Sequence, residues 1–265
     1  MGQKLVKALF LGDICGQPGC RAVFVGLKQL IKDYKADVCI ANGENAADGF
    51  GITGEQVYQL TGAGIDVITT GNHIWQHKEI IPVLERNKNL LRPANYPPKV
   101  PGSGTALISV RNVQVAVVNL QGRRSLPDTD CPFRAARDIA EALRQKTPVI
   151  IVDFHAENTE EKEALAMYLK GSVSAVLGTH THVQTADERI LPGGTAYITD
   201  AGMTGPEVSV IGSIPELSVE RQLTQMPLKS EIADSSSMIN GVFLEIDAET
   251  GKALHIERIF KRLYL

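Results

Sequence analysis

Five apolar runs in this chain end on side chains that can bind metal, and this pattern constrains the fold more than any other feature. Leu5–Leu11 is followed by Gly12-Asp13, and Asp37–Ala41 by Asn42-Gly43-Glu44-Asn45. Ile65–Thr70 leads into Gly71-Asn72-His73, and Val149–Val152 into Asp153-Phe154-His155. Val173–Leu177 leads into Gly178-Thr179-His180-Thr181-His182. Short apolar runs rich in strand formers predict β-strands. Helical spacing separates the first of them: Val23, Leu27 and Leu30 in one interval, then Val57, Leu60 and Ala63 behind a Thr53/Gln56 capping box. Alternating strands and helices predict parallel pairing with helices outside, and open sheets of this kind place ligands beyond their strand ends. Carboxylates, amides and imidazoles at five such ends predict one polynuclear metal site.

The second half reads differently. Thr105–Val110 and Val113–Leu120, joined by Arg111-Asn112, predict a hairpin, and so a mixed rather than a purely parallel sheet. Pro132–Leu143 and the stretch from Thr159 to Gly171 predict helices, and Ala196–Thr199 a further strand. Gly241–Ile246 and Ala253–Phe260 flank the turn Ala248–Gly251. Gly205–Ser237, with its serines, prolines and charges, predicts a long loop or a lid. With no repeat or linker, residues 1–265 read as a single α/β domain.

Bulk properties remove several function classes. A net charge of −3 gives no basic field for duplex nucleic acid, although metal charge can still draw a small anion. The four cysteines, Cys15, Cys20, Cys39 and Cys131, form no CxxC pair. Met1-Gly2-Gln3-Lys4 opens no apolar leader, and no run approaches a membrane span. The expectation is a cytoplasmic protein with reduced thiols.

Each candidate residue also has a bland reading. Asp13 can cap a helix, Glu44 can sit in an exposed loop, and Asn72 can serve a turn. His77 lies four residues after His73, but no Glu stands between them, so it reads as a surface residue. One of Asp153 and His155 reads as a ligand and the other as its orienter. His180 and His182 carry the strongest signal: in an extended strand they share a face, and a turn at the strand end also brings them together. Together, Asp13, Glu44, Asn45, Asn72, His155, His180 and His182 supply the ligands that two cations sharing a carboxylate require. The donor mix favours Fe, Mn or Zn over Mg or Ca. His73, beside Asn72, reads as an acid or a charge stabiliser.

The order GD, GEN, GNH, FHAE and GTHTH resembles the calcineurin-like metallophosphoesterases. The chain departs from their usual pattern at Cys15, where a His is common, and at Glu44, where the bridging residue is usually Asp. Those departures resemble the YmdB-like branch, as do Asn119-Leu120-Gln121-Gly122-Arg123, Asp153–Glu157, Gly178–Asp187 and Thr199–Pro206. The resemblance implies a sandwich of two central mixed β-sheets flanked by helices and a dinuclear site loaded with iron, with manganese or zinc as alternatives. It implies that Asp13, Glu44 and His182 hold one metal with Asn45 nearby. Glu44, Asn72, His155 and His180 would hold the other, with Glu44 bridging and His73 as the catalytic imidazole. Cys15 is not a ligand in this reading.

The expected activity is hydrolysis of cyclic nucleotides, 2′,3′-cyclic above all, by a hydroxide bridging the metals. A regulatory protein that binds a nucleotide or an RNA end is the alternative. A metal-dependent amide or ester hydrolase shares the ligands. No membrane partner is expected, and an exposed edge strand would allow a homo-oligomer.

Overall fold

The computed structural model describes residues 4–263. Met1–Gln3, part of the opening read as carrying no leader, lie outside the described residues. The chain runs β1 (Leu5–Leu11), β2 (Asp13–Ile14), α1 (Gly16–Tyr34), β3 (Val38–Asn42), α2 (Gly54–Ala63), β4 (Val67–Thr69) and α3 (Ile80–Arg86). It continues β5 (Thr105–Val110), β6 (Val113–Gln121), α4 (Pro132–Arg144), β7 (Val149–His155), α5 (Thr159–Leu169) and β8 (Ala175–Thr179). It closes β9 (Arg189–Leu191), β10 (Thr195–Ile198), β11 (Met203–Pro206), α6 (Pro215–Thr224), β12 (Ser237–Asp247) and β13 (Ala253–Leu263).

Two mixed sheets form, in the orders β2-β11-β12-β1-β3-β4, with β13 also on β12, and β5-β6-β7-β8-β10-β9. Their facing sides share one apolar layer, in which Phe10, Ile40 and Val242 meet Val117, Ile151 and Leu177. The outer side of the first sheet packs on α1 and α2 through Leu27 and Leu60. The outer side of the second packs on α4 and α5 through Ala140 and Leu165. The result is the expected sandwich, with two sheets between helical layers. Each fully buried large aliphatic or aromatic side chain contributes roughly 1.5–3 kcal/mol, which makes the layers a firm base for the loops above them.

Local chemistry explains several boundaries. Thr53 accepts from the Gln56 amide nitrogen, and the Gln56 side chain returns to the Thr53 nitrogen, so the expected capping box starts α2. Arg111 and Asn112 take φ of 45° and 65°, the left-handed pair that a tight two-residue hairpin needs. Asn158 caps α5, its side chain accepting from Glu161 N at 2.9 Å.

The segment Gly205–Ser237 departs from its expected loop, because it contains the ten-residue helix α6. Pro215 occupies the first helical turn, where its missing N–H costs nothing. All four cysteines are free thiols. Among the described residues, no helix is long and apolar enough to cross a membrane.

The register sets the site. β1, β3 and β4 run parallel, with Leu11 opposite Ala41 and Asn42 opposite Thr69. β6, β7 and β8 also run parallel, with Gln121 opposite His155 and His155 opposite Thr179. Within each sheet these strands therefore end at one level, and the loops beyond them meet.

Candidate metal centre

Glu44, His155 and His180 form a candidate metal-binding group, each offering a ligand atom within 4.8 Å of the others. Glu44 follows β3 and is fully buried, so its reading as an exposed loop residue does not hold. Its Oε2 accepts from the His73 backbone N–H at 3.1 Å. Its Oε1 lies 2.9 Å from His155 Nε2 yet makes no hydrogen bond. His180 Nδ1 stands 3.0 Å from the same His155 nitrogen.

The remaining candidates gather around this group. Asp13 is fully buried; its Oδ2 accepts from the His180 backbone N–H at 3.0 Å, and its Oδ1 lies 3.8 Å from His155 Nδ1. His182 Nε2 lies 3.0 Å from the Asn45 amide nitrogen. His182 Nδ1 donates to the Ile211 carbonyl at 2.8 Å, which leaves Nε2 with its lone pair. Asn72 follows β4 with its Oδ1 buried and unbonded. Three buried oxygens, Asp13 Oδ1, Glu44 Oε1 and Asn72 Oδ1, thus lack hydrogen bonds, and Asn72 lies between Gly71, which packs on His155 and Glu44, and His73, whose N–H bonds Glu44. Glu44 Oε1 has only its charge contact with His155, and a buried acceptor with no partner at all costs about 1–3 kcal/mol, whereas a cation would satisfy such oxygens together with the imidazole lone pairs. The donor set fits transition-metal ions.

The two histidines of the GTHTH stretch do not lie along an extended strand. β8 ends at Thr179, and His180 and His182 take φ of 106° and 65°. The turn that follows gives them different neighbours, His155 for one and Asn45 for the other. Residues 73–77 form turns and a bend rather than a helix, so the His73/His77 spacing carries no helical meaning. His77 Nε2 instead lies 3.0 Å from the Phe50 carbonyl and supports that loop.

A second layer of residues holds the first, and sequence reasoning assigned most of it no role. His155 Nδ1 lies 2.9 Å from Thr179 Oγ1, whose hydroxyl donates to Asp153 Oδ1 at 2.7 Å. Asp153 is therefore the orienter and His155 the group facing the site. Asn42 donates to Asp153 Oδ2 at 3.0 Å and accepts from Glu44 N at 3.1 Å, joining the two sheets across the site. Glu157 Oε2 lies 3.1 Å from His180 Nε2 and turns the opposite ring nitrogen toward His155. Its place two residues after His155 was the available signal. The recognised motifs also act here. Asn119 grips Thr70 through both backbone polar groups, at 2.9 and 2.8 Å, just before Gly71. Asp200, buried against Lys162 at 2.7 Å, accepts from Thr181 N at 3.0 Å and so fixes the turn between the two histidines.

Charge is strongly coupled. Burial alone would raise the Glu44 carboxyl, but the His155 charge and contact, with His73, hold it at about 2. Burial would depress His155, yet Glu44 and Asp13 lift it to about 9. Burial beside His155 lowers His180 to about 3, so its ring is neutral and its lone pair available. Burial raises Asp153 to about 6 against the opposing pull of His155. Burial, with the charge of Asp13, pushes the Cys15 thiol up to about 12, so it stays protonated.

Gly71 has no room for a side chain, because a Cβ there would strike His155 Cδ2 and Glu44 Oε2. Gly71→Ala is expected to lose bound metal and to cost about 1–3 kcal/mol by overpacking. Metal analysis of the purified variant, beside its denaturation midpoint, checks both.

A cleft of about 660 Å³ opens over this group, lined by Glu44, His73, Glu157, His180 and His182 on its floor and by α6 on its outer wall. The His73 ring meets Phe50 edge-on, with centroids 5.0 Å apart. Burial lowers its pKa, with Glu44 opposing, so the ring is a neutral N–H donor facing the cleft.

The family model described as a YmdB-like protein matches residues 9–259. The chain is 46% identical over 254 residues to the 2′,3′-cyclic-nucleotide 2′-phosphodiesterase of Bacillus subtilis (strain 168), covering 96% of each. A crystal structure of a hypothetical protein from Thermus thermophilus superposes with a TM-score of 0.91 at 40% identity, covering 98% of this chain and 100% of that one. A crystal structure of a novel phosphatase from Mycoplasma pneumoniae gives 0.93 at 37% identity, covering 99% and 95%. The chain belongs to the YmdB-like family and is a phosphoesterase.

Proposed function

We propose that this YmdB-like protein is a dinuclear-metal phosphodiesterase that opens cyclic nucleotides, 2′,3′-cyclic ones above all, in the cytoplasm. The observation that carries the reading is the set of unbonded buried oxygens on Asp13, Glu44 and Asn72 beside the His155, His180 and His182 rings. In this reading Asp13, Glu44 and His182 hold one ion with Asn45 nearby, and Glu44, Asn72, His155 and His180 hold the other. Imidazole, carboxylate and amide donors suit iron, with manganese or zinc as alternatives.

When bound, such a pair supplies Lewis acidity and lowers the pKa of water to near neutrality. The chain's own residues do the rest. Asp153 and Thr179 fix the His155 tautomer, and Glu157 fixes His180, so the donor atoms need no rearrangement. In the net reaction, water oxygen forms a bond to phosphorus, the bond to one ribose oxygen breaks, and that oxygen gains a proton. The product is a phosphate monoester. The neutral His73 ring, at the cleft wall, donates its N–H toward the departing oxygen and stabilises the charge that develops there.

The decisive experiment is a substrate panel on metal-loaded and chelator-treated protein. Hydrolysis of 2′,3′-cyclic nucleotides and of bis(p-nitrophenyl) phosphate is expected, lost on chelation and restored by added metal. Cyclic nucleotide binding without turnover would favour the regulatory protein instead. Turnover of amides or carboxylic esters alone would favour the other hydrolase class.

A further inference from the structure

The outer wall of the cleft carries chemistry that a single cyclic phosphate does not use. Arg221, on α6, is the one lysine or arginine among the described residues that line the cleft. It is half-buried, and its Nη2 donates to Ser218 Oγ at 3.2 Å, one turn back on the same helix. Among the described residues it has no carboxylate partner within ion-pair distance. The two carboxylates of the cleft, Glu44 and Glu157, already face His155 and His180. A partly desolvated guanidinium without an acid suits an incoming anion, and its planar fork matches phosphate.

The same cleft presents apolar surface to solvent. Val219 is 53% exposed and Leu223 80% on α6, and Phe50, 40% exposed, stands beside His73. Exposed apolar side chains gathered along a cleft with a polar floor mark a ligand surface. A nucleobase, with its flat apolar faces, is the part of a nucleotide that such side chains can cover.

We propose that the α6 wall is a subsite for a second phosphoryl group, so that the preferred substrate is an oligoribonucleotide whose 3′ end carries the cyclic phosphate. Arg221 takes the phosphodiester on the 5′ oxygen of the terminal nucleoside. Phe50, Val219 and Leu223 flank its base, and the cyclic ester enters the floor of the cleft. The inference rests on the phosphodiesterase reading and adds to it the length of the substrate.

The test uses the metal-loaded full chain and four substrates: adenosine 2′,3′-cyclic phosphate, its 5′-phosphorylated form, a ribodinucleotide ending in a 2′,3′-cyclic phosphate, and bis(p-nitrophenyl) phosphate. A charge-assisted hydrogen bond is stronger than a neutral one, so both second-phosphate substrates are expected to gain about tenfold or more in kcat/KM over the simple cyclic nucleotide, through KM. The dinucleotide should equal or exceed the phosphorylated mononucleotide. Arg221→Gln should erase the gain, and Arg221→Lys should restore part of it. Equal constants for the three nucleotides overturn the proposal, as does an Arg221→Gln loss shared by all four substrates. A gain for the phosphorylated mononucleotide alone overturns the oligonucleotide assignment. No turnover of any nucleotide while bis(p-nitrophenyl) phosphate is hydrolysed overturns the cyclic-nucleotide reading together with this inference, whereas a gain absent from an active cyclic-nucleotide enzyme removes the inference alone.

Discussion

Glu44→Gln should leave the fold in place and remove both metal and activity. The substitution keeps the side chain's size and its contact with the His73 N–H, so the β3 loop has no steric reason to move. It removes the one carboxylate oxygen that stands 2.9 Å from His155 Nε2 without a hydrogen bond. Changes in the outer shell of a metal site cost about 10–100-fold in affinity, so losing a carboxylate at the centre should cost more than about 100-fold. Metal content after dialysis against graded chelator, with kcat/KM on a cyclic nucleotide, measures both losses. Retained metal and activity in Glu44→Gln would remove Glu44 from the centre.

The same pair leaves a pH signature in metal-free protein. His155 is raised from 6.5 to about 9, so its contribution is full below 6.5 and is lost as pH rises through about 9. Glu44 is lowered from 4.5 to about 2, so its contribution is full above 4.5 and is lost as pH falls through about 2. The pair therefore stabilises metal-free protein most between pH 4.5 and 6.5. The gap in urea midpoint between wild type and Glu44→Gln should show this plateau, since Asp153 and His180 titrate in both proteins. Above the plateau, a bound cation takes the place of the His155 proton, so metal should stabilise more as pH rises toward 9.

Much of this was legible because it is local. The Thr53/Gln56 capping box, the Arg111-Asn112 hairpin and the polar residues ending five apolar runs each depend on residues close in sequence. The gathering of Glu44, His155 and His180 was legible for a related reason, since parallel strands leave little choice about which ends meet. What stayed hidden depends on distant partners. Nothing near Thr179 announces that its hydroxyl links Asp153 to His155, and nothing near Asn42 announces its bridge to the other sheet. The α6 helix was hidden for another reason: Val219 and Leu223 face solvent, so the segment has no buried apolar stripe to betray its period. Pro215 and Glu216, in its first turn, were the only local signs. The left-handed turn through His180 and His182 is set by the Asp200 clamp on Thr181 and by the Asp13 contact with His180, both far along the chain.

His73→Ala should separate chemistry from metal binding. The contact His73 makes with Glu44 comes from its backbone N–H, which alanine keeps, so the metal group loses no hydrogen bond. What disappears is the neutral ring between Phe50 and the cleft. A positioned acid or N–H donor contributes typically about 10²–10⁴-fold, so kcat on a cyclic nucleotide should fall by that range with metal content unchanged. The leaving group tells where the ring acts. A ribose oxygen departs as a poor leaving group that needs a proton or a strong hydrogen bond, whereas p-nitrophenolate leaves readily without one. The His73→Ala loss should therefore be much smaller with bis(p-nitrophenyl) phosphate than with the cyclic nucleotide. His73→Gln, which restores an N–H donor but no titrating ring, should recover part of the lost turnover if the ring stabilises charge. Equal losses on both substrates would move His73 away from the departing oxygen, and unchanged turnover would remove it from the mechanism.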